Sequence, residues 1–397
     1  MVRALPASTG RPIRAIIPSE LVLHDNVLFD STSIGELGLD NRVGLAPMTR
    51  VSATDDGRAT DRMARYYAKF AAGGFSFLVT EGVYTDDAYS KGYRNQPGLV
   101  SDDHVEAWTQ VTDAVHDADG VIFAQLMHCG AQNQGIPRDA DQQTIAPSAV
   151  QPEGEKNDAY GGDGPYPEPK EATKNDLETA RKGFVTAATN AYEAGFDGVE
   201  LHAANGYLLN EFLSTKMNRR DDEYGGAPEA RVRYPAEVVG AVTEAVPDDF
   251  VVGVRISQSM VTDYGYEWPE GEAAAAVFFE ALSSAGADYV HTTERYATEP
   301  TFGEDGPSLA EAAVDYVTDD AVVIANGSLG TPAAARQVLE DGVDLLTLGT
   351  SALANPDWPT RVAAGEELAA FDRTTTLEPK ATIGDEELSV DASPVDD

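Results

Sequence analysis

At 397 residues with 42% hydrophobic content, the chain can bury a large core, and either one barrel or two smaller domains would account for its length. Aspartate and glutamate outnumber lysine and arginine by 67 to 28, a formal net charge of -39, which argues against nucleic acid as a partner. The acidic residues run through nearly every polar segment, the pattern of a surface kept soluble at molar salt, where a Debye length of about 3 Å screens self-repulsion.

A halophilic, reducing cytoplasm is therefore the expected setting, and the single cysteine, Cys129, fits it. One thiol makes no internal disulfide and cannot supply the roughly four thiolates of an iron–sulfur cluster.

In chain order, residues 1–22 read as an N-terminal extension in which Pro6, Pro12 and Pro18 interrupt any apolar signal region. Short apolar or β-branched runs then recur at 42–46, 77–80, 121–126, 198–202, 251–256, 289–292, 321–325 and 345–348. Helical patterns separate them at 60–72, 102–118, 176–194, 229–245, 270–285, 307–317 and 332–340, with a last one at 358–364. This alternation predicts a single-domain α/β fold, a (β/α)8 TIM barrel over residues 23–372. An open doubly wound sheet fits less well, because no Gly-x-Gly-x-x-Gly turn follows the first strand.

Thr331 before Pro332 marks a helix start, and Gly195 and Gly286 mark helix ends before strands. The long Pro-, Gly- and acid-rich stretch at 151–173 is expected to cover the catalytic end. Residues 373–397 are polar, acidic and without period, and read as a disordered tail. No run approaches the roughly 20 apolar residues of a membrane span.

Barrel active sites form at the carboxyl ends of the strands, and residues suited to one ligand collect there. Ala46, Pro47, Met48 and Thr49 close the first strand, Gln125 lies on the third and His202 ends the fourth. Arg255 lies on the fifth, Asn326 and Gly327 follow the seventh, and Gly349 and Thr350 follow the eighth. An arginine stabilises negative charge on a reduced flavin, a glutamine offers donor and acceptor to the same edge, and glycine turns present N–H groups to a phosphate. Taken alone, Arg255 is equally well explained by an interior ion pair, and Gln125 better by a structural role. Cys129 beside His128 is a weak metal signal and reads as an inert small residue.

The run GFDGVELHAANGYLLNEFL at 195–213, followed by NRRDDEYGG at 218–226, resembles the Old Yellow Enzymes, the NAD(P)H:flavin oxidoreductase barrels. APMT at 46–49, APSA at 146–149, VGVRI at 252–256 and ANPD at 354–357 extend the resemblance over most of the chain. It implies FMN as cofactor, NADH or NADPH as reductant, and ping-pong hydride transfer from the flavin N5 to an electron-poor alkene such as an enone or nitroalkene. By the same resemblance, Pro47 and Met48 would lie under the flavin, Thr49 near its C4 carbonyl, and Gln125 and Arg255 at its pyrimidine edge. His202 and Asn205 would hold the substrate oxygen, and Tyr207 would supply the proton. Two fixed donors at that oxygen stabilise the transition state more than the ground state. A tyrosine, with an ordinary pKa near 10, stays protonated until the α-carbon becomes basic.

The sequence departs from the family where Thr350 replaces an arginine on the FMN phosphate, where Asn326-Gly327-Ser328 replaces a double glycine, and where Met127 replaces a tryptophan of some branches. Amine dehydrogenases and dienoyl-CoA reductases share the 202–226 type of segment but add an iron–sulfur motif. A flavin-free barrel such as an aldolase would want a strand lysine, and no predicted strand contains one. The substrate, the nicotinamide preference and whether the chain forms a homo-oligomer are left open by the sequence.

Overall fold

The computed structural model describes residues 27–136, 143–318 and 320–388, so the proposed extension at 1–22 lies outside the described residues. Eight parallel strands close into a barrel: β1 (Val43–Leu45), β2 (Phe77–Val79), β3 (Ile122–Met127), β4 (Gly198–Asn205), β5 (Val251–Met260), β6 (Tyr289–Thr293), β7 (Val322–Asn326) and β8 (Leu345–Leu348). Each pairs with its neighbours in sequence, and β8 returns to pair with β1, Leu346 opposite Val43. These strands are buried on both faces, which is why they read as short apolar runs between helices rather than as alternating ones.

Pairing register fixes which side chains point inward. Phe123 faces Gly198, Gln125 faces Glu200, His202 faces Arg255, and His291 faces Ile324. At the amino-terminal end the inward set is Phe77, Phe123, Val251, Tyr289, Ile324 and Leu345, sealed by Ile34 and Leu39 of an antiparallel hairpin, Thr32–Ile34 with Leu37–Leu39. Glycines make room for the rings: a Cβ on Gly44 would sit 2.3 Å from Phe77, and one on Gly253 2.0 Å from Tyr289. The other strand face packs against the helices and forms the main core.

Most predicted helices are present, among them α1 (Asp61–Ala72), α2 (Asp102–His116) and α3 (Lys174–Glu193). Thr331 caps its helix by accepting from the Ala334 N–H. The helix expected over 229–245 is instead two, Pro228–Arg231 and Arg233–Thr243. Pro235 explains the break, since it cannot donate to the Arg231 carbonyl and its ring crowds that turn.

The expectation of a disordered tail from residue 373 fails for residues 373–388. Ala381, Ile383 and Leu388 are buried, and two short helical turns, Arg373–Thr376 and Asp385–Leu388, frame them. The anchor is Arg50, fully buried, which donates to the Ala381 carbonyl at 3.0 Å and to both Glu387 carboxylate oxygens at 2.7 and 2.6 Å. Arg62 adds a bond to the Ile383 carbonyl and Lys69 one to the Glu387 carbonyl. Acidic composition hid a segment in which Ala381, Ile383 and Leu388 find burial.

Candidate active site

A cavity of about 550 Å³ opens at the carboxyl ends of the strands, and every residue singled out from the sequence lines it: Ala46, Pro47, Met48, Thr49, Gln125, His202, Asn205, Tyr207, Arg255, Asn326, Gly327, Gly349 and Thr350. That volume is within the range of small-molecule and cofactor sites.

The first wall follows β1. Ala46 keeps the barrel register, its N–H donating to the Leu348 carbonyl at 2.9 Å, and the chain then turns back at Val51 with φ +37°. Glu81, buried at the end of β2, holds this turn by accepting the N–H groups of Arg50 and Val51 at 3.0 and 2.8 Å. Burial pushes Glu81 up to about 7, against the pull of those two amides.

On β3, Gln125 donates through Nε2 to Glu200 Oε1 at 2.8 Å. A carboxylate only accepts, so the amide oxygen of Gln125 is turned away from it. On β5, Arg255 donates through Nη2 to Thr293 and Asn326 at 3.0 and 2.9 Å, while its buried Nε has no partner among the described residues. An unpartnered buried donor beside an acceptor oxygen suits a heterocyclic edge carrying both functions, so the residues fit a flavin's pyrimidine ring. Asn326 is more committed than the sequence suggests: its oxygen accepts from Arg255 and Thr293, and its Nδ2 donates to the Thr347 carbonyl at 3.0 Å. Its side chain therefore clamps Arg255. Gly327, at φ +145°, lies where a Cβ would meet the Glu294 carbonyl at 2.3 Å, so the β7 turn presses directly on the β6 turn.

β4 runs past its predicted end at residue 202 as far as Asn205, following a bulge in β5 between Ile256 and Met260. His202 Nδ1 accepts the Ala204 N–H at 3.3 Å, which assigns the proton to Nε2. Burial, with Arg255 nearby, holds His202 well below its ordinary value, so it is a neutral donor. Asn205 adopts φ +62°, pinned by its N–H to Ser257 Oγ and by Gln132 on its carbonyl, both at 2.8 Å. Its side-chain amide makes no hydrogen bond among the described residues. Tyr207 stands edge-on to His202, ring centroids 4.8 Å apart, and its hydroxyl bonds that of Tyr93. Burial pushes Tyr207 far up, so it keeps its proton.

The cavity has further lining that the sequence did not single out: Tyr93, Tyr160, Tyr166 and Tyr264, with Glu294, Arg295, Arg373 and Leu377. Tyr160 and Tyr166 come from the 151–173 stretch expected to cover this end, and Tyr93 from a Gly-, Asn- and Pro-rich turn after β2, a position that signals an active-site loop. Arg373 and Leu377 come from the segment read as a tail and carried no signal. Burial pushes Glu294 up to about 7. No cluster of three or more metal-ligating side chains occurs among the described residues.

A closed barrel with paired donors, an arginine and a glutamine lining one cavity is a set of groups that a flavin would fit. Residues 27–369 match the NADH:flavin oxidoreductase / NADH oxidase family, and the chain belongs to it. It is 34% identical over 357 residues to a "Probable flavin mononucleotide-dependent alkene reductase" of Leishmania infantum, covering 88% of this chain and 94% of that protein. It is 30% identical to 12-oxophytodienoate reductase 2 of Arabidopsis thaliana, covering 88% and 92%. Against the NADH oxidase of Thermoanaerobacter brockii, 32% identical, the chain spans about half the length, 51%. Among solved structures, the Old Yellow Enzyme homologue of Zymomonas mobilis superposes with TM-score 0.78 at 33% identity, covering 89% of this chain and 96% of that one. Morphinone reductase in complex with tetrahydroNAD gives TM-score 0.77 at 32% identity, covering 88% and 93%. The chain is accordingly an FMN-dependent oxidoreductase of the NADH:flavin oxidoreductase type.

Proposed function

We propose that the protein reduces activated C=C bonds, in enones and nitroalkenes, with His202 and Asn205 binding the substrate oxygen and Tyr207 delivering the proton. When bound, FMN supplies hydride-transfer chemistry fed by NADH or NADPH. The observation that carries the reading is the His202–Asn205 pair: a neutral Nε2–H and an uncommitted amide at the end of one strand, lining the cavity that Gln125 and Arg255 also face. Two such donors stabilise charge developing on the oxygen, and removing one typically costs about 10²–10³ in rate. Tyr207, kept protonated by burial and bonded to Tyr93, would protonate the α-carbon. The relatives' names, alkene reductase and 12-oxophytodienoate reductase, support this substrate class.

Gln125 and Arg255 would hold the pyrimidine edge, the Ala46–Thr49 wall the ring system, and Gly327, Gly349 and Thr350 the phosphate side. Arg295 lines the cavity too, and among the described residues it forms no ion pair, so it can supply the cation that Thr350 does not. The test is anaerobic mixing of the FMN-loaded protein with NADH or NADPH and then 2-cyclohexenone. Flavin bleaching followed by enone-dependent return is expected, and no return with any activated alkene would sink the reading.

The net charge of -39 supports a high-salt, cytoplasmic setting. No described helix is long and apolar enough to cross a membrane. Melting temperature should fall on transfer from molar KCl to dilute buffer; an unchanged value would reject the halophilic reading.

A further inference from the structure

Beneath the cavity lies a charge that the proposed chemistry does not use. Glu200 sits two residues before His202 on β4, points into the same barrel interior and is fully buried. Its Oε1 accepts from Gln125 Nε2 at 2.8 Å. Its Oε2 accepts from His291 Nδ1 at 2.6 Å and from the Tyr289 hydroxyl at 3.2 Å. His291 Nε2 in turn lies 2.9 Å from Thr347 Oγ1. A buried carboxylate is costly, and the layer directly below shows that this barrel interior can be filled with apolar side chains instead.

Two consequences follow from the geometry. Because a carboxylate accepts and never donates, Glu200 forces the Gln125 amide into one orientation, nitrogen down and oxygen toward the cavity. A neutral partner at position 200 could accept or donate, and the amide would lose that constraint. The second consequence is electrostatic. Burial pushes the Glu200 carboxyl up, but His291, Arg255 and Gln125 outweigh it and keep it ionised, while burial holds His291 below its ordinary value, in the neutral form. One negative charge, Glu200, thus sits under one positive charge, Arg255, in a buried layer.

We propose that Glu200 is a positioning residue for the flavin site: it orients Gln125 toward the pyrimidine edge and offsets the charge of Arg255 beneath it. This rests on the reading that Gln125 and Arg255 face that edge. A charge below Arg255 weakens the preference of the site for reduced, negatively charged FMN over the oxidised form and so sets how readily the bound cofactor gives up its hydride.

The experiment uses the full chain with added FMN, measuring oxidised-FMN affinity by fluorescence quenching and the two-electron midpoint potential by dye equilibration. Glu200→Gln is expected to weaken oxidised FMN about tenfold. It should also shift the ratio of reduced to oxidised affinity about tenfold toward the reduced form, a rise of about 30 mV. In a Gln125→Ala background the affinity effect should shrink to less than about twofold, because the constrained amide is gone. A residue that only supports the fold would weaken both redox forms equally, so an unchanged midpoint potential overturns the proposal. So does an affinity loss that is fully additive with Gln125→Ala. If Glu200→Gln does not fold, Glu200→Asp keeps the charge but withdraws it from Gln125. It should then lose FMN affinity several-fold, and wild-type affinity would again overturn the proposal. Failure of the underlying assignment is separately visible, as Gln125→Ala alone leaving FMN affinity unchanged.

Discussion

At the amino-terminal end of the barrel, Ile34, Leu39, Phe77, Phe123, Tyr289 and Ile324 close on one another, none more than 3% exposed. At the carboxyl end the same strands turn to Gln125, His202, Arg255 and Asn326 around an open cavity of about 550 Å³. Polarity climbs along β3 to β6 in steps of two: Phe123 then Gln125, Gly198 then Glu200 then His202, Val251 then Gly253 then Arg255, Tyr289 then His291 then Thr293. The lower end is filled by packed apolar side chains, whereas the upper end leaves Arg255 Nε without a partner among the described residues. Stability and chemistry are therefore separated along the barrel axis, and variants should damage one without the other.

The largest expected effect is at the bottom. Phe123→Ala removes a ring packed against Phe77 and Tyr289, with centroids 5.9 and 5.8 Å away, and should cost about 3–5 kcal/mol in denaturant unfolding. Enone turnover per folded molecule should persist; its loss would break the separation. Tyr207→Phe, at the top, should leave the melting temperature nearly unchanged while slowing enone reduction by about 10²-fold or more.

Between these extremes lies the C-terminal segment. Glu387→Ala leaves the Arg50 guanidinium buried without its carboxylate. Because Glu387 itself is partly exposed, the cost should be reduced to about 1–2 kcal/mol, with faster proteolysis within residues 373–388. Unaltered proteolysis would mean that the segment does not depend on this clasp.

A further effect concerns pH. Burial raises Glu81 from an ordinary 4.5 to about 7, so the folded state binds its proton more tightly than the unfolded chain. Its stabilising contribution is full below about 4.5 and is lost as pH rises through about 7. Glu81→Gln should flatten that part of the stability profile, measured as the wild-type minus variant difference between those pH values. A difference that does not change with pH would assign Glu81 an unperturbed ionisation.

Much of this architecture was legible because each strand is a short apolar run and each helix carries punctuation such as Thr331-Pro332. That these residues would share one cavity was legible because barrel sites form at strand ends and the 195–213 run is distinctive. Glu200 and His291 were not, because inward-facing polar residues within an apolar run reveal their purpose only when register places them opposite Gln125 and Thr347. The tyrosine wall was missed for a related reason: Tyr93 and Tyr166 are far from Tyr207 in sequence, and only chain closure brings them to one cavity. The ordered segment at 373–388 was obscured by acidic composition, which carries no information about the buried Arg50 that awaits it.

The central claim is that His202 and Asn205 activate the substrate oxygen. It is tested most directly by following the two half-reactions of a His202→Ala/Asn205→Ala variant loaded with FMN in stopped flow. Reduction by the nicotinamide and FMN affinity should stay within a few-fold of wild type. Reoxidation by 2-cyclohexenone should fall by at least the 10²–10³ expected for one lost donor. Reoxidation at the wild-type rate would contradict the account.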